Sequence, residues 1–382
     1  MTDARLAVPV LLGWVVVMVV IGVPSAGPVG FAVAGVAMLV ACAFAVSALV
    51  GRVRGRAVGP RAMRAGAVVV PALLVIAALG TAVGVAAGSR EPAPVRDALV
   101  SGEQLEVVVV LEQTVAGAAT GELEDGAGWR GASVDGRLER VTDRDGVTYA
   151  VSVPVRLLGV EAQGRWPLGL RLEGAVRLIP VEPGDDRVAL ARVLSELQPV
   201  RGAPPLLGAT DALRDRFLDL MQPFAGDGAA LLPGLAIGDT SAVSDELDAA
   251  MKRSALSHLT AVSGANCAIV VGLVLGVGAL LRWPRPVRIG VALAALGGFV
   301  LLVTPEPSVV RAAVMAAVVL LALASGRPAQ GLPVLAVAVF GILVLDPWIA
   351  RSYGFVLSVL ATAALLVLAG PLAERLRSVM PA

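Results

Sequence analysis

The chain is short of the side chains that carry most protein chemistry. Its 382 residues hold one His, one Lys, two Cys and two Tyr, and only 16% are charged. Cys42 and Cys267 each fall in an apolar run. That excludes a disulfide framework and zinc-site spacing, and both read as small packing residues. No His and Asp residues cluster as in a metal hydrolase, and no glycine-rich phosphate loop follows a strand. With 31 basic and 30 acidic residues the formal net charge is +1. Bulk attraction of a polyanion is therefore excluded. What is abundant is apolar: 57% hydrophobic residues and a mean hydropathy of +0.83. A soluble domain carries about 25% charged residues, so this composition is that of an integral membrane protein.

Three apolar runs come first, Leu6–Val23, Val29–Val50 and Ala67–Ala87. Each is near the roughly 20 residues that cross a bilayer. The first is too long for a signal-peptide core, and a second span follows at once. Between runs two and three stand Arg52, Arg54, Arg56, Arg61 and Arg64, with no acid among them. The positive-inside bias makes this loop cytoplasmic, so the first span starts inside and the third exits outside.

Polar sequence rich in β-branched residues follows to about Pro205. Strand-length patterns at Glu106–Glu112, Arg137–Val141, Thr148–Leu158 and Leu170–Ile179 are separated by turn signals such as Asp143-Arg144-Asp145-Gly146. A short helical piece is predicted at Val188–Leu197. About five strands suit a small barrel, with an OB-like fold the leading expectation. Next, Asp211–Phe224 reads as an amphipathic helix with Thr210 as N-cap. Leu213, Phe217, Leu220, Met221 and Phe224 share one face, which could lie on a membrane surface or pack on the barrel or bundle.

The remainder is apolar again, with candidate spans Thr260–Leu281, Ile289–Val303, Val309–Ala324, Pro333–Leu345 and Phe355–Leu372. Arg282, Arg285, Arg288, Arg327, Arg375 and Arg377 then all fall on the cytoplasmic side, and eight spans put both termini inside. The expected organisation is three spans in 1–89, an extracytoplasmic β domain in 90–206 and a second membrane domain in 207–382. The fold class is a polytopic α-helical membrane protein with an inserted small all-β, OB-like domain. Pro305, Pro307, Pro328 and Pro333 bound short runs, as in broken helices that line a cavity.

Polar groups at the mouths of these runs are the candidate site. In hydrocarbon a central Arg costs roughly 2.5–3.5 kcal/mol by insertion scales, so such groups usually have a function. Ser244 can cap a helix over Ala242–Leu259, placing His258 on the face of Leu247, Met251 and Ser254. His258 is then either a packed imidazole or a gating residue. Thr260, Ser263, Gly264 and Cys267 form a stripe with Asn266 beside it. Gly264, Ala268, Gly272 and Gly276 repeat every four residues, a pattern for close helix packing. Asp239 in Gly238-Asp239-Thr240-Ser241 suits a turn that folds its carboxylate onto nearby N–H groups. Arg311 can snorkel outward, pair with Glu306 or carbonyls freed by the prolines, or face a phosphate. A Ser263–His258 catalytic pair is disfavoured. Five residues place the two about 140° apart on a helix, and the G-x-S-x-G elbow is missing. The chain is expected not to be an enzyme.

The blocks Gly238–Ser241, His258–Gly264, Pro307–Ala312 and Asp346-Pro347 with Gly354–Ser358 occur in this order in the ComEC family, which the chain resembles over essentially its whole length. The resemblance implies a bacterial competence channel that carries single-stranded DNA inward across the cytoplasmic membrane. His258, Ser263, Asn266, Arg311 and Asp239 are then candidates for the DNA path or its gating. It further implies single-stranded DNA, other competence proteins and the lipid bilayer as partners, with a second copy of the chain as a further candidate, and no cofactor or metal. The chain departs from the family in two respects. Members often carry a second His where Asn266 stands here. Many continue into further spans and a metallo-β-lactamase-like domain, so this chain is expected to be a fragment or a shortened paralogue. Within the β domain thirteen Arg face eighteen Asp and Glu, and only Trp129, Tyr149 and Trp166 offer stacking surfaces. A basic groove with stacking aromatics is what strand binding needs, so a structural or assembly role suits the barrel at least as well. A small-solute transporter and a non-conducting scaffold remain the competing readings. The transporter would usually show an internal repeat, and none is evident.

Overall fold

The computed structural model describes residues 6–53, 60–115, 120–122, 128–162, 164–254, 264–303, 307–325 and 331–379. It divides into two units. The first holds residues 1–88, 182–186 and 314–382, and the second holds 89–181 and 187–313.

The first unit contains α1 (Ala7–Ile21), α2 (Ala26–Val53) and α3 (Pro60–Arg90) from the N-terminal part. α2 and α3 each contain a stretch long and apolar enough to cross a membrane. Gly30 and Gly80 let them meet. A Cβ on Gly30 would stand 2.7 Å from the Gly80 carbonyl oxygen, and one on Gly80 would stand 2.8 Å from that of Gly30. The core of this unit also takes residues from α11 (Gly331–Leu345), a 3-10 turn (Pro347–Arg351) and α12 (Tyr353–Val379). Trp14 donates its indole N–H to the Ala350 carbonyl at 3.0 Å and meets Phe355 edge-on. Asp346 caps the 3-10 turn by accepting the Trp348 N–H at 3.1 Å. The Asp346–Ser358 block thus supplies core residues, among them buried Trp348 and Phe355.

The second unit opens with α4 (Ala93–Ser101) and the strands β1 (Gln104–Leu111), β2 (Thr120–Glu122), β3 (Gly128–Arg130), β4 (Ala132–Thr142), β5 (Thr148–Val160), β6 (Arg171–Pro180), β7 (Ala189–Val193) and β8 (Gln198–Arg201). β2 and β3 pair with each other. The others form one sheet in the order β1-β4-β5-β7-β6-β8, and β1 also pairs with β6, so five strands close on themselves. All pairs are antiparallel except β5 with β7. Alternating residues such as Leu138, Val153, Val155, Leu157, Leu172 and Val176 fill the interior. Residues Val188–Leu197 hold a strand, not the expected helical piece. Ala189 and Ala191 alternate into the core while β7 hydrogen-bonds to β5 and β6, a pairing that local helix propensity does not reveal.

Helices follow: α5 (Pro205–Met221), α6 (Asp227–Ile237), α7 (Asp245–Arg253), α8 (Gly264–Leu280) and α9 (Arg285–Leu302). α10 (Pro307–Ala324) starts in this unit and ends in the first. α9 is the third helix long and apolar enough to cross a membrane, while α1, α6, α8, α10, α11 and α12 give shorter apolar stretches. α5 begins six residues before the expected start. Pro204 and Pro205 set its first turn, so Thr210 is interior and its hydroxyl bonds back to the Leu207 carbonyl. Large apolar residues stand outward on many of these helices, including Leu213 and Leu220 on α5, Ile269 and Leu273 on α8, and Leu365 and Leu368 on α12.

Candidate functional site

The polar groups of the second unit gather at helix ends, where backbone groups lack partners. α6 ends at Ile237, and Gly238 takes the left-handed conformation at φ 77°. Its N–H bonds the Gly234 carbonyl, while the N–H of Asp239 reaches Pro233 at 3.3 Å. This is a glycine stop that a side chain with a Cβ would strain. Asp239 then folds onto the turn as expected. Its Oδ1 accepts the Ser241 N–H at 3.0 Å and the Ser241 hydroxyl at 2.5 Å. Its Oδ2 meets Arg165 Nη2 at 3.2 Å, and Arg165 Nη1 meets Asp215 of α5 at 3.3 Å. Arg165 therefore ties the segment between β5 and β6 to α5 and to the turn after α6.

Asn266, in the first turn of α8, donates its amide to the Leu235 carbonyl at 2.9 Å. That carbonyl belongs to the last turn of α6. Asn266 and Gly238 thus both satisfy the same helix end. Gly264 lies against α10, where an added Cβ would stand 3.2 Å from the Ala312 Cβ. The first turn of α8 therefore lies against the second turn of α10, one residue past Arg311. Gly272 and Gly276 have nothing within 4 Å of an added Cβ, so the four-residue small pattern serves close packing only at its first position among those two and Gly264.

Arg311 follows immediately before Ala312. It is only 5% exposed, and its Nε and Nη1 are buried with no hydrogen-bond partner. Asp239 and Asn266 are committed elsewhere, and no contact joins them to Arg311 among the described residues. Ser244 caps α7 by accepting the Leu247 N–H at 3.2 Å. α7 stops at Arg253, short of the expected continuation to Leu259. His258 and Ser263 lie outside the described residues.

Arg214 was not singled out by sequence reasoning. It is 1% exposed. Nε donates to the Leu302 carbonyl at 2.5 Å, Nη2 to that of Leu301 at 2.7 Å, and Nη1 to Asp211. It caps the C-terminus of α9, where positive charge is favoured. Burial pushes the Asp211 carboxyl above its ordinary range, with Arg214 pulling the other way. The i, i+3 spacing of Asp211 and Arg214 was the available signal, but α9 as their target was not legible.

On the barrel, a groove of about 590 Å³ is lined by Val108, Glu139, Arg140, Arg171, Val200 and Arg201. Arg171 is held by Glu139 through 2.7 and 2.9 Å bonds. Arg137, Arg144, Arg156 and Arg187 likewise meet Glu112, Glu103 and Asp135. Five of the thirteen arginines in this part of the chain are thus spent on pairs within it.

Among the described residues the chain is thus mostly helical, with three helices long and apolar enough to cross a membrane and a separate β-sheet region. Residues 235–381 match the family model described as Competence protein. The matched stretch contains Gly238–Ser241, Asn266, Arg311 and the Asp346–Ser358 block. Comparison with curated proteins and with solved structures finds no match.

Proposed function

We propose that this chain is a multi-pass protein of the cytoplasmic membrane that takes part in moving single-stranded DNA inward during natural transformation. The observation that carries the reading is the competence match over residues 235–381. Outward-facing apolar residues on α1, α2, α8 and α12 support a lipid environment, since contiguous exposed apolar surface is costly in water. The arginine distribution supports cytoplasmic termini and an extracytoplasmic barrel. Five closed strands with one parallel pair, β5 with β7, support an OB-like assignment for that barrel. Its internal ion pairs and net negative charge favour a structural or assembly role over tight strand binding.

In this reading the chain conducts and does not cleave. A strand crossing lipid needs polar lining, and helix N-termini or Arg side chains offset phosphate charge. The first turn of α8, packed on α10 beside Arg311, is the part of the molecule suited to that task. Deleting the gene in its own transformable host should lower both transformation frequency and entry of labelled DNA into a nuclease-protected pool. Complementation should restore them. Unchanged transformation in the deletion strain would overturn the proposal.

A further inference from the structure

We infer that Arg311 forms an oxyanion seat that takes a phosphate group from outside the chain. The inference deepens the DNA-uptake reading and rests on it for the identity of the phosphate. It begins from an imbalance of charge. A guanidinium stays protonated at all accessible pH, so burial cannot be relieved by losing the proton. A buried charge without a partner is among the most costly arrangements in a protein. Arg214 shows how this chain resolves that cost, with three nitrogens engaged by Asp211 and two carbonyls. Arg311 is buried to a similar degree, yet its Nε and Nη1 have no partner.

Among the described residues no carboxylate is paired with Arg311, and Glu306, the partner the sequence offered, lies outside them. Asp211 is held by Arg214, Asp239 by Arg165 and Ser241, and Asp248 by Lys252. The surroundings also favour an anion. Arg311 lies one turn into α10, and Ala312 beside it touches the first turn of α8 at Gly264. The first turn of α8 presents its positive dipole end there, and Arg311 stands just past that of α10. Gly264 is the position that lets the two helices approach, since a Cβ would already stand 3.2 Å from Ala312. A guanidinium with free donors near helix N-termini is suited to phosphate oxygens.

The test uses the full chain purified in detergent, with Arg311→Met and Arg311→Lys variants. Thermal unfolding is followed in inorganic phosphate and in chloride at equal ionic strength. Phosphate should raise the midpoint of the unmodified chain and leave Arg311→Met unmoved. In chloride, Arg311→Met should unfold at or above the unmodified midpoint, because it removes an unpaired buried charge. Arg311→Lys should keep a response with apparent affinity about tenfold weaker, as expected when one charge-assisted hydrogen bond is lost. If Arg311→Met does not accumulate, the Lys variant decides, and an unweakened phosphate response there overturns the seat. A phosphate response that persists in Arg311→Met also overturns it, as does no response in the unmodified chain. Two further arms identify the source, a short single-stranded oligonucleotide and phosphatidylglycerol added to the micelles. Arg311-dependent binding of the oligonucleotide supports both readings. An Arg311-dependent response to phosphatidylglycerol alone upholds the seat and counts against the DNA reading.

Discussion

Arg214 illustrates how a single side chain can hold a helix end in place. Its three nitrogens satisfy the Leu301 and Leu302 carbonyls and the Asp211 carboxylate. Arg214→Met would leave two carbonyls and a half-satisfied acid buried, and Asp211 Oδ2 already lacks a partner. The expected loss is about 3–5 kcal/mol, the range for breaking a buried pair from one side. Asp211→Asn keeps an acceptor for Arg214 and should cost clearly less. Denaturation of the full chain in detergent measures both, and equal losses would show that the carboxylate charge, not the capping, dominates. Asp135 gives a pH-dependent counterpart on the barrel. Burial works to raise its pKa, but hydrogen bonds from Arg187 and Arg156 outweigh this and hold the carboxyl below its ordinary 3.8. A lowered folded value means that ionised Asp135 contributes stability above pH 3.8, and that the contribution is lost as pH falls through the folded value. Asp135→Asn should therefore be less stable at neutral pH, with the gap from the unmodified chain closing in acid. A gap that stays constant across that range would remove the charge from the explanation.

At the scale of elements, the apolar runs and the alternating strands were legible because each carries its own period. The predicted runs and the observed helices agree to within a few residues at most ends, and α2, α3 and α12 extend beyond theirs into polar flanks. β7 was not legible, because five residues between two turns become a strand only by pairing with β5 and β6. The start of α5 was missed because Thr210 is a good cap by chemistry, while Pro204-Pro205 fixes the first turn earlier. Of the candidate site, the turn at Asp239 was readable from local chemistry. The bond from Asn266 to α6, like the burial of Arg214, depends on contacts distant in sequence. The Gly30–Gly80 approach was hidden among many similar glycines, and it is testable against one of them. Gly30→Ala places a Cβ 2.7 Å from a backbone oxygen, so α2 and α3 must separate, at about 1–3 kcal/mol. Gly35→Ala, on the same helix with nothing within 4 Å, should instead stabilise by about 0.5–1 kcal/mol. The same sign for both substitutions in thermal unfolding would contradict the close approach.

For the molecule as a whole, the strongest organising argument is charge. Arginines flank the apolar runs, and those at 52, 54, 56, 61 and 64 crowd the connection from α2 to α3 and the helix ends beside it. Moving that connection across the membrane would carry five positive charges with it, whereas retaining it inside requires nothing further. In the proposed topology α3 then delivers the chain to the outer side, and the barrel with it. The barrel's composition suits that side, since Arg137, Arg156 and Arg187 are paired with Glu112 and Asp135 in the folded sheet and its core is closed by β1 meeting both β4 and β6. Ser133 is an exposed residue of β4 and can report the placement. With Cys42 and Cys267 replaced by Ala and a Cys placed by Ser133→Cys, a membrane-impermeant thiol reagent should label intact cells or spheroplasts. The paired variant with a Cys in place of Arg56 should be labelled only after lysis. The opposite pattern would invert every span, place the first turns of α8 and α10 on the cytoplasmic side, and remove Arg311 from the path of a strand arriving from outside.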